Sequence, residues 1–154
     1  MTKRLNIYLG DVTHDFGLRT RVVPMGIATL ACAAKDNFKE KIFTKLFVYP
    51  EKILKEIDSN PPDIIAMSNY IWNSKLSLKI LKEVKKNHPK VLTVMGGPHC
   101  RTDSDGLKDF LKKNPFVDAY VPFEAENPFI NLIGKCINLN TVNIKTLDNV
   151  EGVY

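Results

Sequence analysis

Residues that could bind a ligand follow four short apolar segments of this chain. These polar, aromatic and glycine-rich stretches are residues 10–17, 68–73, 96–100 and 122–126. In the third stretch, the apolar run 91–95 meets Gly96 and Gly97, a pattern typical of a parallel strand that leaves bare backbone at its carboxyl end. Ligands of open parallel sheets bind at that edge. The sequence therefore predicts one ligand site built from four loops.

Five alternations of an apolar run with an amphipathic stretch predict the elements that position these loops. The predicted strands are residues 4–10, 42–48, 64–68, 91–95 and 117–121. Helices are predicted to begin near Pro24, Pro50, Asn73, one of Thr102, Asp103 and Ser104, and Asn127 with Pro128. Such alternation predicts an α/β fold with a parallel sheet covered on both faces. Five strands most simply form a doubly wound, flavodoxin-like (Rossmann-like) sheet of order 2-1-3-4-5.

Composition places the chain among ordinary globular proteins. Its 154 residues are 44% hydrophobic and 25% charged, which is enough for one domain with a single sizeable core. We expect that domain to span residues 1–139. Residues 140–154 are more polar and lose periodicity, so we expect them to form a tail or linker toward a catalytic domain that this chain lacks.

Charge, hydropathy and cysteine content indicate which kinds of partner and which cellular location to expect for this protein. The net charge is +5, but the lysines recur on predicted helix faces without interleaved arginine and aromatic residues, which favours a solvated surface over a nucleic-acid interface. No apolar run approaches the roughly 18 residues of a membrane span, so we expect no membrane partner. Cys32, Cys100 and Cys136 are odd in number and far apart, which indicates reduced thiols in a cytoplasmic protein. We place Cys32 and Cys136 on buried helix faces.

Common ligands of this fold class do not match the four loops. A phosphoryl-receiver domain needs an acidic pair after strand one, an aspartate after strand three and a lysine near strand five, where this chain has Asp11, Ser68 and Pro122. Residues 11–14 lack the serine, threonine and glycine content of a flavin-binding loop. The dinucleotide fingerprint GxGxxG is absent as well.

The loops resemble those of a cobalamin-binding domain. Methionine synthase and the cobalamin mutases share DxHxxG after strand one, SxL or SxT after strand three and GG after strand four. This chain keeps His14 and Gly17, with Asp11 one residue further upstream than that spacing requires. Ser68, Asn69 and Tyr70 stand for the second signature, and Gly96 with Gly97 for the third.

Other segments resemble the cobalamin-binding domain that precedes the barrel of radical S-adenosylmethionine (SAM) enzymes. These segments are residues 23–27, 68–73 and 96–99. The GEGE element that follows strand five in those enzymes is represented by Phe123, Glu124, Ala125 and Glu126. The resemblance spans about residues 4–139.

The resemblance implies a binding mode. Cobalamin would lie on the carboxyl edge, with its nucleotide tail in a slot that Gly96 and Gly97 leave free of side chains and with Ser68 facing a tail nitrogen. His14, held by Asp11, would be the lower cobalt ligand and the only metal ligand of the chain, or else Tyr70 or Trp72 would pack under the corrin. The predicted cofactor-binding residues are Asp11, His14, Gly17, Ser68, Asn69, Tyr70, Trp72, Gly96, Gly97, Pro98, His99 and Glu124. Purely structural roles are open for several of them: Tyr70 and Trp72 as plugs of the sheet edge, His99 bonded to its own loop, and Glu124 at a helix start.

The function that the resemblance implies is a cobalamin-binding domain that presents the corrin to a radical SAM barrel in cis, for methyl transfer or related chemistry. The chain has no CxxxCxxC loop, so SAM and the [4Fe–4S] iron-sulfur cluster would belong to the missing barrel, and this chain alone would not be a catalyst. One alternative is a cofactor-free interaction or substrate-docking domain of the same fold. Another is a small hydrolase that uses Asp11, His14 and Ser68, although a nucleophile elbow and an oxyanion loop are not evident.

Overall fold

A five-stranded parallel sheet forms the centre of the molecule. The computed structural model describes residues 4–13, 23–101, 103–143, 147 and 149–154. Its strands are β1 (Leu5–Gly10), β2 (Ile42–Phe47), β3 (Ile64–Ser68), β4 (Leu92–Gly96) and β5 (Ala119–Val121). All neighbouring strands pair in parallel, in the order β2-β1-β3-β4-β5. The predicted flavodoxin-like fold is therefore confirmed.

Five α-helices connect or follow the strands. They are α1 (Met25–Phe38), α2 (Pro50–Ser59), α3 (Ser74–Asn87), α4 (Ser104–Lys113) and α5 (Glu126–Leu139), with a 3-10 turn at Lys39–Lys41. The Asp103 side chain accepts a hydrogen bond from the Gly106 amide (3.2 Å), which confirms the predicted cap of α4. Helix α5 begins at Glu126 with Ala125 at its N-cap, so the predicted cap Asn127 lies inside the helix. Strand β5 begins at Ala119, two residues later than predicted.

Two apolar layers cover the sheet, one on each face. Helices α1 and α5 pack on the face that holds Ile7, Leu9 and Ala66, while α2, α3 and α4 pack on the opposite face. The central strands are buried on both sides, as expected for a parallel sheet. Cys136 is buried in the first layer, as predicted, but Cys32 is exposed. The prediction for Cys32 was wrong. The buried stripe of α1 passes through Ile27, Ala31 and Ala34, and Cys32, which directly follows Ala31, lies on the outer face of the helix.

The C-terminal residues pack against the free edge of β5. Tyr154 and Tyr120 exchange both of their backbone hydrogen bonds (3.0 and 2.7 Å), the pattern of an antiparallel pair. Val150 is buried in the layer of α1 and α5. Gly152 has a φ of +75°, and a Cβ there would lie 2.5 Å from Pro128 Cγ. The division into a domain of residues 1–139 and a linker of residues 140–154 stays a prediction.

Membrane insertion has no candidate among the helices described here. None of them is both long and apolar enough to cross a bilayer.

Candidate functional site

A groove opens at the carboxyl edge of the sheet, between α1 and α5. Its volume is about 880 Å³, within the range of small-molecule sites. Leu9, Ala66 and Val94, from three adjacent strands, form the floor. Ile27 of α1 and Phe129 of α5 contribute to the walls. The groove therefore lies where an open parallel sheet is expected to bind a ligand.

Seven of the predicted cofactor-binding residues line this groove. They are Asp11, Ser68, Tyr70, Gly96, Gly97, Pro98 and Glu124. The four loops thus converge, as the strand order requires. Asn69, Trp72 and His99 do not line the groove, and His14 and Gly17 lie outside the described residues.

A polar cluster at the mouth of the groove joins the ends of β1 and β3 to the start of α3. Ser68 Oγ donates to Asp11 Oδ1 (2.6 Å), and Asn73 Nδ2 donates both to Asp11 Oδ1 (2.9 Å) and to Ser68 Oγ (2.8 Å). Asn73 Oδ1 accepts from the Tyr70 amide (2.9 Å). Asn73 does stand at the N-cap of α3, but its side chain makes no capping bond to the helix. Its buried amide instead fixes Asp11 and Ser68.

The polar cluster changes what Ser68 can offer a ligand. A hydroxyl has one proton, and that of Ser68 is donated to Asp11. The tail nitrogen of cobalamin is an acceptor and would need this proton. The expected bond from Ser68 to the tail therefore requires a rearrangement of the bond between Ser68 and Asp11.

The two glycines at the end of β4 are explained by close backbone packing. A Cβ on Gly96 would lie 2.8 Å from the Val121 carbonyl oxygen. Gly97 has a φ of +129°, and its Cβ would lie 2.7 Å from the Asn69 carbonyl oxygen. Both missing side chains would point at neighbouring backbone, which gives each glycine a packing role, and both glycines line the groove. That the pair also leaves a slot for a nucleotide tail stays a prediction. At Gly26, a Cβ would meet only the Tyr70 hydroxyl, at 3.6 Å, so this glycine leaves open space at the groove.

Asn69 and Tyr120 hold the glycine loop from behind. Asn69 is fully buried, and its Nδ2 donates to the His99 carbonyl (2.9 Å) and to the Tyr120 hydroxyl (2.8 Å). The Tyr120 hydroxyl donates in turn to the Gly97 carbonyl (2.7 Å). Burial raises the pKa of Tyr120 to about 12, so the hydroxyl keeps its proton and stays a donor. Asn69 therefore positions the loop rather than lining the groove.

The remaining predicted aromatic and histidine residues lie at the rim. Tyr70 and Trp72 stack with ring centroids 4.7 Å apart and an interplanar angle of 5°. His99 is exposed, and its backbone amide donates to the Asn69 carbonyl (3.1 Å). The loop at 123–126 has its first residue, Phe123, at a φ of +53°, a conformation that glycine would adopt without strain.

Several residues of the groove and of its polar cluster were not predicted from the sequence. Asn73 looked like an ordinary helix cap, and only its distance from Asp11 reveals its role. Ala66 and Leu9 looked like ordinary strand residues. Gly152 and Tyr154 also line the groove, and nothing in the local sequence signals this because they reach it through the β5 edge.

A metal site within the described part of the chain is not evident. Those residues contain no group of three or more His, Cys, Asp or Glu side chains that could hold an ion. In the polar cluster, Ser68 bonds directly to Asp11, whereas a hydrolase triad would place a histidine between them.

Comparison with known proteins places these features in a family context. The B12 binding domain family model matches residues 15–133. The cobalamin-dependent radical SAM methyltransferase TokK of Streptomyces tokunonensis is 42% identical over 101 residues, which cover 66% of this chain and 14% of TokK. A 2-(S-pantetheinyl)-carbapenam-3-carboxylate methyltransferase of Streptantibioticus cattleyicolor is 42% identical over 72 residues, covering 47% of this chain and 10% of that protein.

A third relative is named for a different activity. The anaerobic magnesium-protoporphyrin IX monomethyl ester cyclase of Rubrivivax gelatinosus is 31% identical over 86 residues, which cover 54% of this chain and 14% of the cyclase. The matched region therefore spans between 10% and 14% of the length of these three relatives.

Proposed function

This chain belongs to the B12-binding domain family, and from that premise we propose that it binds cobalamin in the carboxyl-edge groove and presents the corrin to a radical SAM barrel in the same polypeptide. Methyl transfer or related chemistry would be the reaction of the whole protein. Two relatives are named as methyltransferases, and one of these as a cobalamin-dependent radical SAM enzyme. SAM and the [4Fe–4S] cluster would be held by the barrel.

The groove residues fit such a cofactor. The floor is apolar and includes the small side chain of Ala66, while Gly26 at the mouth leaves space beside Tyr70. A volume of about 880 Å³ accommodates a large part of a nucleotide tail. The groove that joins the sheet floor to the polar cluster is the single observation of the structure that carries this proposal.

Several of the predicted residues then have a defined task. Bound cobalamin would supply a cobalt centre able to accept and donate a methyl group. Ser68 and Asp11 would bind polar groups of the cofactor at the mouth, and the stacked Tyr70 and Trp72 would support the corrin from below. Asn69 would keep the glycine loop in place. His14 stays a proposed lower ligand that spectroscopy can test.

Exposed apolar side chains at the rim of the groove indicate that a partner covers this surface. Among the described residues, every large apolar side chain that is at least 64% exposed lies at this edge. These side chains are Val23, Met25, Ile71, Trp72 and Phe123. Concentrated apolar exposure marks binding surfaces, and the corrin together with the barrel would cover it. The odd number and wide spacing of the cysteines support a cytoplasmic location.

A cofactor-free docking domain is the second candidate. It is favoured by the polar cluster, because Asp11, Ser68 and Asn73 already satisfy one another without a ligand. In this alternative, the apolar rim would contact only protein.

The test is retention of hydroxocobalamin by the purified chain after gel filtration, read by its visible absorbance. We expect stoichiometric corrin colour, with band positions that report the lower ligand. Gly26→Leu would fill the mouth of the groove without a helix penalty and should weaken cobalamin binding by about tenfold or more. Thr29→Leu, on the exposed face of the same helix, is the control and should bind like the parent chain.

Two results would contradict the proposal. If neither the chain nor the full-length enzyme retains corrin, the cofactor-free docking function replaces it. If Gly26→Leu retains cobalamin as tightly as Thr29→Leu, cobalamin binds elsewhere than in this groove.

A further inference from the structure

Phe123 has a backbone conformation that its side chain disfavours. Its φ is +53°, in the left-handed region that residues with a Cβ rarely adopt. Four non-glycine residues of the described chain share this feature: Lys39, Phe123, Asn140 and Asn149. Asparagine tolerates the region because its short polar side chain can bond locally. Lys39 stands at the C-cap of α1, with a φ of +46° and a ψ of −120°.

Packing does not explain why an aromatic residue occupies this position. The Phe123 side chain is 64% exposed, so it gains little from burial in the folded chain. It nevertheless lines the groove, directly after Pro122 and before Glu124. A glycine would relieve the backbone strain and lose only the contacts of the smaller, buried part of this residue. Strain that persists at a ligand-binding groove suggests a function for the side chain that causes it.

We propose that Phe123 is a cofactor-contact residue. Its exposed ring packs against the bound corrinoid at the mouth of the groove. This inference rests on the proposed function of the groove. The ring lies where a bound corrinoid would remove it from water, so the burial that the free chain lacks would be gained on binding. Phe123 thereby adds to the affinity for cobalamin.

Variants at position 123 separate the effect of the aromatic ring on binding from the effect of the backbone strain. Phe123→Ala removes the ring and keeps a Cβ at the strained φ, whereas Phe123→Gly removes the ring and relieves the strain. We expect both to weaken cobalamin binding to a similar extent, by about tenfold. We expect Phe123→Gly to have an unfolding equilibrium constant about fivefold smaller than that of Phe123→Ala, because only glycine adopts this φ freely. Phe123→Tyr keeps a ring and should bind like the parent.

Lys39 provides the matched control, because it has a similar φ of +46° and is not among the residues that line the groove. Lys39→Gly should be more stable than Lys39→Ala, with cobalamin affinity unchanged in both. Affinity is measured by absorbance titration with hydroxocobalamin, and stability by urea denaturation of the same preparations.

The outcomes distinguish the two levels of inference. If the parent chain binds cobalamin and both ring-deleted variants bind it equally well, the role of Phe123 is wrong and the proposed function stands. If Phe123→Gly keeps full affinity while Phe123→Ala loses it, the backbone and not the ring determines binding, and the inference is again overturned. If neither the parent chain nor the full-length enzyme binds cobalamin, the proposed function fails and the role of Phe123 fails with it.

Discussion

The sheet has a cavity of about 880 Å³ at each edge, and the two cavities differ in what surrounds them. The amino-edge cavity lies among turns that contain Pro61, Pro62 and Pro89. The carboxyl-edge groove is lined instead by four strands, two helices and the loops that hold seven of the predicted cofactor residues. Volume alone therefore does not distinguish a binding site from a space between turns.

A polar cluster lies at each edge, and the two clusters are chemically similar. At the amino edge, Asp118 Oδ2 accepts hydrogen bonds from the Thr93 amide and hydroxyl (both 2.9 Å). The same oxygen forms an ion pair with Lys85 Nζ. At the carboxyl edge, an aspartate also accepts from a hydroxyl, that of Ser68. In each cluster, a carboxylate and a hydroxyl meet a nitrogen donor. The donor is Lys85 of α3 at the amino edge, and Asn73, the residue before α3, at the carboxyl edge.

Access separates the two clusters. The Asp118 side chain is only 8% exposed and lines neither cavity, so this cluster ties β4, β5 and α3 together. Asp11 and Ser68 line the groove. The comparison teaches that residue types predict a polar cluster, whereas contact with a cavity decides whether a ligand can use it. Two experiments test this distinction, and a third tests the hydrogen bonds that hold the glycine loop at the carboxyl edge.

The largest expected effect is on stability, from Asp118→Ala. This change leaves the Lys85 ammonium and the Thr93 amide without their shared acceptor, and we expect a loss of about 3 kcal/mol in the free energy of unfolding. Cobalamin affinity should not change. Urea denaturation and absorbance titration measure the two quantities.

Asp109→Ala is the matched control for that experiment. Its exposed pair with Lys113 (2.7 Å) is a surface ion pair, so we expect a loss of about 0.5 kcal/mol or less. Equal losses from Asp109→Ala and Asp118→Ala would show that the amino-edge cluster is no more structural than a surface pair.

Alkaline pH should weaken the hydrogen bonds behind the glycine loop. Burial raises the pKa of Tyr120 from an ordinary value near 10 to about 12. The folded chain thus holds this proton more tightly than the unfolded chain, so the stabilisation is complete below pH 10 and is lost as the pH rises to about 12. The expected loss is about 2 kcal/mol.

Tyr120→Phe isolates this contribution. The variant lacks the titrating hydroxyl and its bonds to Asn69 and Gly97, and should be about 1 kcal/mol less stable at pH 7. Between pH 10 and 12 its free energy of unfolding should decline less steeply than that of the parent chain. The pKa of Tyr8 is also raised by burial, but Tyr8 titrates in both proteins and cancels. Parallel pH profiles would mean that the Tyr120 proton does not stabilise the fold.

The comparison of the two edges also shows how far sequence could lead. Periodicity and helix caps predicted the strand order, because apolar alternation and the βα connection leave few topologies. The carboxyl edge could be predicted since each loop follows a strand. Asn73 could not be recognised as a cluster residue, because its partner Asp11 is 62 residues away in sequence. The reason for Gly97 was also hidden, since it depends on the Asn69 carbonyl of a neighbouring strand end.

A smaller effect on stability than that of Asp118→Ala, and the sharpest test of the two clusters, is expected from Ser68→Ala. It removes one hydroxyl from the carboxyl-edge cluster while Asn73 still donates to Asp11, so we expect a loss of about 1 kcal/mol in the free energy of unfolding. If the groove binds cobalamin, its affinity should decrease by about tenfold as a polar contact at the mouth is lost.

Ser77→Ala is the control that gives this result its meaning. Ser77 Oγ donates to the Ser68 carbonyl (2.9 Å) and is fully buried, so its removal should cost about as much stability. It does not line the groove and should leave the affinity unchanged. A loss of affinity confined to Ser68→Ala would assign the carboxyl-edge cluster to the cofactor. Equal affinities in the two variants would make Ser68 a structural residue like Thr93, because access to a cavity would then have had no consequence for binding.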